Sequence, residues 1–333
     1  MRLFACLFAL ALSAATPVLA KDAVEICEWK TPYADARPRS AFPDGAQSAW
    51  FAEPREGFLA HLDGETGDFT RVNLKSQSAP HDVVVGDDGA VWFADVSHGR
   101  IGRYDPASKS FKSFPVTGEG VLDPRSLTFD KSGAHLWFTA KRGAAVGRLN
   151  VDSGKVDLVP LKDQTARPYA LTIAEDGTVW AAMMGAAKLA RVNPETLEVA
   201  EFDLPRAEAR PRQIDVARDG RVWYADYAGG AIGAFDPKKK TFAEWPMPQG
   251  EAAKPFGMAT DASGRIWVAA TGVQPNLIVG FDPKTEAFFS ETRIPSGGGA
   301  VREMRYHQPS GSMWFATDTN YVGRAIVEPY LGH

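Results

Sequence analysis

Cysteine is scarce in this chain of 333 residues, where only Cys6 and Cys27 occur. That scarcity excludes a disulfide framework and a cysteine-rich metal site. Basic residues are not in excess, because 37 Lys and Arg stand against 41 Asp and Glu and leave a net charge of −4. A groove lined with Lys and Arg for a polyanion is therefore not expected, and we predict no nucleic-acid partner.

Hydrophobic runs long enough to cross a bilayer are also lacking. The one extended apolar run, from Leu3 to Ala15, is thirteen residues long, whereas a spanning helix needs about twenty. It follows Arg2 and precedes Val18-Leu19-Ala20, which resembles a cleavage site, and this pattern is typical of a secretory signal peptide. We predict a signal peptide over residues 1–20 and a single domain over 21–333. The protein is expected to be a periplasmic or secreted monomer without membrane insertion.

Tryptophan, by contrast, is plentiful and regularly spaced. Seven of the nine Trp stand at intervals of 42 to 47 residues, and each lies three to five residues after a glycine that follows Asp or Ser. Asp-Gly between alternating apolar runs predicts a hairpin turn, because glycine tolerates the positive φ that such a turn needs. The repeated residues are Trp50, Trp92, Trp137, Trp180, Trp223, Trp267 and Trp314.

The second repeat predicts four short strands, at His81–Val85, Ala90–Asp95, Ile101–Tyr104 and Phe111–Phe114. Apolar residues alternate with period two, and a turn interrupts the chain about every ten residues, which excludes helical repeats. Four strands in a unit of this length are typical of a β-propeller blade. The sequence therefore predicts an all-β fold, a seven-bladed β-propeller with four antiparallel strands in each blade.

The two ends of the chain predict how the ring closes. The seventh repeat stops after its third strand, Tyr321–Val327. Near the N-terminus, Glu28-Trp29-Lys30-Thr31-Pro32 resembles Glu244-Trp245-Pro246-Met247-Pro248, the fourth strand of the fifth repeat. We predict that residues near Val24–Lys30 supply the last strand of the last blade, which limits the exposure of sheet edges.

The repeated residues are assigned to packing between blades, so function is sought at equivalent positions that differ. In a propeller the first strand of each blade lines the central channel, and its start lies on the same face as the end of the second strand. Around the ring, the start of the first strand is occupied by Arg39, His81, Arg125, Tyr169, Arg212, Phe256 and Arg302. The end of the second strand is occupied by Glu53, Asp95, Ala140, Met183, Asp226, Ala270 and Thr317.

Charged residues at these two positions have two interpretations. Arg39 and Glu53, His81 and Asp95, and Arg212 and Asp226 are each fourteen residues apart, so they come close to facing each other and would satisfy one another as ion pairs. Alternatively, the channel mouth binds a small-molecule or peptide ligand with an anionic or carbonyl group. Arg125 and Arg302 face no acidic counterpart and favour the second view. The candidate ligand contacts are Arg39, Arg125, Tyr169, Arg212, Asp226, Phe256 and Arg302.

His81 is the only histidine in its ring of seven, and Asp95 is placed to orient it. A histidine held by a carboxylate is a usable general base, although a satisfied surface histidine is an equally good interpretation. His98 is expected on the same face. No metal-ligand spacing connects the remaining four, His61, His135, His307 and His333.

At these residues the chain resembles the virginiamycin B lyase (streptogramin lyase) family of seven-bladed propellers over essentially its whole length after the signal segment. The resemblance rests on Pro80-His81 and on repeats such as Asp88-Gly89-Ala90-Val91-Trp92-Phe93-Ala94-Asp95, followed by Ile101-Gly102-Arg103. It implies an enzyme that linearises a cyclic depsipeptide antibiotic by elimination at its ester, in which Mg²⁺ polarises the carbonyl and a histidine removes the proton α to it.

The same resemblance implies His81 as the catalytic base and Asp95 as a ligand of Mg²⁺, and we add Glu53 as a second candidate ligand of the metal. Two positions depart from the family pattern, because Ala79 replaces a second metal carboxylate and Arg39 replaces another histidine. Two other functions stay open. One is a non-catalytic exported binding or sensor propeller, and the other is a lactone hydrolase similar to the six-bladed gluconolactonase propellers, for which Asn276 and Asn320 are the candidate metal-site amides.

Overall fold

Seven antiparallel sheets of four strands each build the molecule, which confirms the seven-bladed β-propeller. The computed structural model describes residues 23–74, 77–118 and 122–328, so the predicted signal peptide lies outside the described residues. Within these ranges the helical segments are two short 3₁₀ turns, Gly250–Ala253 and Gln308–Ser310. None of the described helices has the length and apolar character that a membrane crossing requires.

Each of the first three blades is one consecutive run of four strands. Blade one contains β2 (Arg39–Pro43), β3 (Ser48–Glu53), β4 (Phe58–Asp63) and β5 (Asp68–Asn73). Blade two contains β6 (Pro80–Val85), β7 (Val91–Asp95), β8 (Arg100–Asp105) and β9 (Ser110–Pro115), so all four strands predicted for this repeat are within one residue of the observed bounds. Blade three contains β10 (Pro124–Phe129), β11 (His135–Ala140), β12 (Ala145–Asn150) and β13 (Val156–Pro160).

The next three blades repeat this order. Blade four contains β14 (Pro168–Ile173), β15 (Val179–Met183), β16 (Lys188–Val192) and β17 (Val199–Asp203). Blade five contains β18 (Pro211–Val216), β19 (Val222–Asp226), β20 (Ala231–Asp236) and β21 (Thr241–Pro246). Blade six contains β22 (Pro255–Thr260), β23 (Ile266–Ala270), β24 (Leu277–Asp282) and β25 (Ala287–Arg293).

Blade seven joins the two ends of the chain, as predicted. Its first three strands are β26 (Val301–His307), β27 (Ser312–Thr317) and β28 (Tyr321–Ile326), and its fourth is β1 (Glu25–Lys30). The antiparallel pairing of β1 with β28 runs from Glu25 opposite Ile326 to Lys30 opposite Tyr321. Stacking of Trp29 on Trp314, with ring centroids 6.0 Å apart, adds side-chain contact to this closure.

The Asp-Gly hairpins and the tryptophans have the structural roles that the repeat predicted. Gly89 has a φ of +76° and donates its N–H to the carbonyl of Gly86, 2.8 Å away, in a conformation that other residues adopt only with strain. All seven repeated tryptophans are buried. Trp92, for example, packs edge-on against Phe129 of the following blade, with centroids 6.0 Å apart.

The first strand of every blade contains a β-bulge near its start. In β6, Pro80 pairs with Asp95 and regular pairing resumes only where Val83 faces Phe93. His81 and Asp82 lie between these two pairs. Because a bulge changes the direction in which side chains point, it determines which residues of the first strand meet around the channel.

Candidate functional site at the channel mouth

The structure brings the starts of all seven first strands together around one opening, called the channel mouth here. Arg39, His81, Arg125, Tyr169 and Arg302 line the same pocket. The two remaining positions adjoin it. The guanidinium of Arg212 lies 5.5 Å from the centroid of the Tyr169 ring, and the ring of Phe256 lies 5.6 Å from that of Tyr169.

His81 is buried in this pocket, and neither of its ring nitrogens has a hydrogen-bond partner in the described part of the chain. Its closest ring contact is Tyr169, edge-on, with centroids 6.0 Å apart. Burial, reinforced by the charges of Arg125 and Arg39, holds the pKa of His81 well below its usual value. The imidazole is therefore neutral near pH 7, with one nitrogen that donates and one that accepts.

Asp95 does not orient His81, so that part of the prediction is wrong. Its carboxylate, fully buried, is held by groups of its own blade. The donors are the backbone N–H of Ala79 at 3.0 Å, Oγ of Ser97 at 2.8 Å, Nδ1 of His98 at 3.0 Å and Nε of Arg100 at 2.9 Å. The cause is the bulge, which pairs Asp95 with Pro80 rather than with His81.

The other two predicted ion pairs are wrong for the same reason. Glu53 is bound by Arg71 instead of Arg39, and one of its buried carboxylate oxygens has no partner among the described residues. Asp226 is bound by Arg206 instead of Arg212, and it also accepts the backbone N–H of Arg210 at 2.8 Å. Neither carboxylate belongs to the residues that line the pocket of His81.

The pairing of the arginines is the reverse of the one predicted. Arg125 contacts Asp123 through two nitrogens, at 2.7 and 3.1 Å, and Arg302 binds Asp318 at 2.6 Å. Within the described ranges, Arg39 and Arg212 have no carboxylate partner. Burial and the neighbouring charge of Arg302 lower the pKa of Arg39. Two unpaired guanidinium groups therefore converge on the mouth.

Aromatic rings surround Arg212 in place of an acid. Its guanidinium carbon lies 4.8 Å from the centroid of the Tyr227 ring and 5.1 Å from that of Phe256. The nearest side-chain acceptor is the sulfur of Met184, 3.3 Å from Nη1. Stacking on aromatic faces suits a guanidinium, but it leaves the charge without a counterion.

Lys141 and Glu303 belong to this region and were missed in the sequence. Lys141 directly follows the end of β11, and burial with the charge of Arg125 lowers its pKa to about 8. Glu303 directly follows Arg302 in β26 and lines the pocket. Comparing equivalent positions across blades could not find them, because each lies one residue beyond the position that was compared.

Next to His81 lies a second set of polar and charged side chains, the Asp82 cluster, formed by Ser40, Asp82, Glu303 and Arg305, of which Ser40 and Glu303 also line the pocket. Asp82 accepts the side chains of Ser40 and of Arg305, the latter at 2.8 and 3.0 Å. It also accepts the backbone N–H groups of Val83 and Leu127, both at 2.7 Å. Arg305 reaches Glu303 as well, at 2.6 Å. Burial and the neighbouring Asp82 raise the pKa of Glu303.

The donor set of the mouth does not fit Mg²⁺. This ion takes oxygen ligands in an octahedral arrangement, whereas Asp95 and Glu53 are held by Arg100 and Arg71, away from the pocket. In the described ranges no group of three or more His, Cys, Asp or Glu could hold a metal ion. The sequence-based expectation of Mg²⁺ therefore has no ligand set at His81.

The lactone hydrolase alternative loses its support. The related propellers in that hypothesis have six blades, whereas this chain has seven. Asn276 donates its amide to the carbonyls of Thr271 and Val273, at 3.1 and 2.8 Å, and Asn320 accepts the N–H of Arg37 at 2.8 Å. Both amides shape loops of the chain.

Comparison with known proteins identifies the family. Residues 11–275 match the sequence model of the virginiamycin B lyase family. The chain belongs to that family. A curated relative, the virginiamycin B lyase of Nocardia farcinica, is 27% identical over 163 residues, which are 49% of this chain and 53% of the relative. This family member thus spans about half the length of the curated relative that it matches, and the family resemblance stated from the sequence is confirmed.

Solved structures share the fold. The virginiamycin B lyase of Staphylococcus aureus superposes with a TM-score of 0.81, covering 90% of this chain and 98% of that one at 19% identity. The extracellular domain of a putative hybrid two-component system from B. thetaiotaomicron superposes with a TM-score of 0.67, covering 89% of this chain and 40% of that one at 18% identity. The same architecture therefore occurs in an enzyme and in an extracellular domain of a signalling system.

Proposed function

We propose that this member of the virginiamycin B lyase family binds an organic anion at the channel mouth. The observation that carries the proposal is the pair of guanidinium groups, Arg39 and Arg212, that lack a carboxylate partner in the described structure. Guanidinium groups bind carboxylates through short, charge-assisted hydrogen bonds. A ligand carboxylate would supply the counterion that the mouth lacks.

Two further observations support this function. The pKa of Lys141 is lowered to about 8, first by burial and then by the nearby charge of Arg125, so below pH 8 Lys141 adds a positive charge close to the arginines of the mouth. His81 adds no charge of its own, because its pKa is lowered far below the usual value. The signal pattern in residues 1–20 supports binding outside the cytoplasm, in the periplasm or after secretion.

Removing the two unpaired guanidinium groups tests the proposal. We expect Arg39→Met combined with Arg212→Met to weaken binding of succinate, measured by titration calorimetry, by at least about tenfold, because a hydrogen bond to a charged group contributes roughly 1.5–3 kcal/mol. Arg221→Met is the matched control, since Arg221 pairs with Asp219 in the hairpin at the other end of β19. Succinate affinity equal in all three proteins would refute the proposal, as would its failure to bind the wild type.

A second candidate, elimination at an ester, is favoured by the unpartnered and neutral His81. Its free ring nitrogen would take a proton α to a carbonyl, the electron pair of the C–H bond would form a carbon–carbon double bond, and the ester C–O bond would break to release a carboxylate. Positive charge at Arg39 and Arg125 would stabilise the negative charge that develops on the carbonyl oxygen.

Incubation with virginiamycin B separates this candidate from binding alone. Elimination opens the ring without a change of mass, whereas hydrolysis adds one water, so mass spectrometry distinguishes the two reactions. We expect ring opening without mass change to be lost in His81→Phe and to survive removal of Mg²⁺ by a chelator. A strict requirement for Mg²⁺ would contradict the conclusion that the mouth residues do not fit this ion. An unreacted antibiotic would refute elimination and leave anion binding as the proposed function.

A further inference from the structure

The central channel continues past the mouth into a cavity of about 370 Å³, which we call the channel cavity. Its walls include Phe42, Asp215 and Arg305, each of which lies three residues after an arginine of the mouth in the same first strand. Because every first strand starts at the mouth, the cavity lies deeper in the channel. Its volume is in the range of pockets that hold small organic ligands, roughly 300–1,000 Å³.

Gln213 presents an unpaired amide to this cavity. The residue is 8% exposed and lines the cavity together with Ser126 and Glu303. None of the residues described in the structure bonds its amide, yet the amide oxygen and nitrogen keep accessible surface, unlike the sealed ring nitrogens of His81. Buried polar groups are almost always hydrogen-bonded, so the space that Gln213 faces has to supply its partners.

The carboxyl groups at the cavity already have partners. Asp215 accepts the backbone N–H and the hydroxyl of Thr260, both at 2.8 Å, and the hydroxyl of Thr172 at 3.2 Å. Glu303 is bound by Arg305 at 2.6 Å, and burial raises the pKa of Glu303, which favours its uncharged form. A cationic ligand would therefore find no carboxylate free to bind it.

The other titratable groups that line the cavity are paired as well. Arg305 is bound by two carboxylates of the Asp82 cluster. Nδ1 of His307 bonds Oγ of Ser310 at 2.8 Å, and burial lowers the pKa of His307, so this ring is neutral near pH 7. The hydroxyl of Tyr306 donates to Glu328. The arginines of the mouth do not line this cavity, so an anion gains no free cation there and the ligand is neutral.

The chemistry of the free amide specifies the ligand further. A carboxamide offers an accepting oxygen beside N–H donors. A ligand amide whose N–H and C=O point the same way, as in a ring, pairs with both atoms of Gln213 through two parallel hydrogen bonds. An alcohol would have to serve both atoms through a single oxygen, at angles that weaken the bonds.

We propose that the channel cavity binds a neutral molecule through a cis amide, as in a lactam or a cyclic imide, whose C=O accepts from Nε2 of Gln213 and whose N–H donates to Oε1. This site is separate from the anion site at the mouth and does not depend on it. The apolar walls that would surround the rest of the ring are formed by Phe42, Leu171, Ile214, Met258 and Met304.

Two ring compounds of the same size test the proposal. One is δ-valerolactam, and the other is cyclohexanone, in which a methylene replaces the N–H of the lactam. We expect the wild-type protein to bind δ-valerolactam at least about tenfold more tightly than cyclohexanone, because a site built around a hydrogen-bonding group discriminates strongly against the analogue that lacks it.

NMR titrations of the protein with isotope-labelled methionine methyl groups measure these affinities and locate the ligand. Met258 and Met304 line the channel cavity, whereas the sulfur of Met184 lies at the mouth, 3.3 Å from Nη1 of Arg212. We expect δ-valerolactam to shift the signals of Met258 and Met304, and succinate to shift that of Met184. Replacement of each methionine by leucine assigns the signals.

Substitution of Gln213 assigns the discrimination to its amide. Gln213→Met keeps a side chain of similar length and removes both polar atoms, so we expect it to bind δ-valerolactam no more tightly than cyclohexanone. Gln47→Met is the matched control, since Gln47 bonds Glu65 at the surface of blade one, and it is expected to keep the preference for the lactam. Thermal unfolding followed by circular dichroism verifies that both variants are folded.

Three results would overturn the proposal. They are equal affinity of the wild type for the two compounds, shifts that leave Met258 and Met304 unchanged, and a lactam preference that survives in Gln213→Met. Failure of δ-valerolactam to bind the wild type also overturns it and leaves water as the partner of Gln213. The wild-type comparison requires no variant, so the test holds even if Gln213→Met does not fold, and the signal of Met184 reports anion binding separately.

Discussion

The channel mouth and the adjoining Asp82 cluster contain similar side chains but differ in how these are paired. In the cluster, Asp82 accepts hydrogen bonds from two backbone N–H groups, from Ser40 and from Arg305. At the mouth, His81 has no hydrogen-bond partner in the described structure and Arg39 has no carboxylate. His81 and Asp82 are neighbours in the same bulge.

This difference indicates a structural role for the Asp82 cluster and supports the ligand binding that we propose for the mouth. Asp82 connects blades one, two, three and seven through Ser40, Leu127 and Arg305, so its carboxylate stabilises the ring of blades. At the mouth, Arg39 and Arg212 have no carboxylate partner among the described residues, and burying unpaired charge costs free energy. The anion that we propose for the mouth would complete the pairing and offset that cost.

The largest expected effect is on stability, in the paired layer. We predict that Asp82→Leu lowers the free energy of unfolding by about 3–5 kcal/mol, because it removes one of the two carboxylates that Arg305 binds and the carboxylate that accepts two buried backbone N–H groups. Urea unfolding measures the change, and Asp203→Leu, at an exposed carboxylate, is the control. Adding Arg305→Leu should recover part of the loss, since the buried guanidinium that lost one of its carboxylates is then absent. A loss no larger than that of the control would remove the contrast between the layers.

An intermediate effect is expected at His81 and depends on pH. Burial lowers the folded-state pKa of His81 from its ordinary value of 6.5, so below pH 6.5 the unfolded chain binds a proton that the folded protein excludes. The contribution to stability is complete above pH 6.5 and decreases below it, by about 1.4 kcal/mol per pH unit. In urea unfolding we expect the wild type to lose more stability than His81→Phe on acidification below 6.5. Parallel curves for the two proteins would show that His81 titrates normally.

The smallest expected effect is on anion affinity at alkaline pH. Lys141, which faces Asp123, Arg125, Arg167 and Arg212, has a pKa of about 8 and loses its charge as the pH rises through that value. We predict that succinate affinity falls severalfold across this range, because one positive charge is removed from the mouth. Lys141→Met should bind succinate equally on both sides of pH 8 in calorimetric titrations. A fall of the same size in the variant would assign the pH dependence to another group.

Much of the fold was predictable from the sequence because it depends on local chemistry repeated seven times. Asp-Gly turns, alternating apolar residues and Trp spacing predicted the strands of blade two within one residue. The resemblance of Glu28-Trp29 to Glu244-Trp245 predicted the closing strand. The turns and strands depend on neighbouring residues, and the repeat averages out errors at any one position. The closing strand pairs with a distant segment, and its sequence revealed it by resembling the fourth strand of another blade.

The sequence predicted which residues form the candidate site, but it did not predict their ion-pair and hydrogen-bond partners. Equivalent positions around the ring predicted the seven side chains that meet at the mouth, from Arg39 to Arg302. The observed partners of those side chains differ from the predicted ones because the bulge in each first strand shifts its pairing with the second strand. The spacing of residues in the sequence does not reveal such a bulge. Lys141 and Glu303 were not predicted because each follows, by one residue, the position that was compared across the blades.

The sequence by itself determined the number of blades, the closing strand and the convergence of unlike residues at one opening, since each follows from a repeated local pattern. The tertiary structure alone decided that Asp95, Glu53 and Asp226 are held by Arg100, Arg71 and Arg206, and that Arg39 and Arg212 have no carboxylate partner among the described residues. The predicted partner of each carboxylate and the arginine that binds it lie in different segments of the chain, and only their positions in space decide which of them binds.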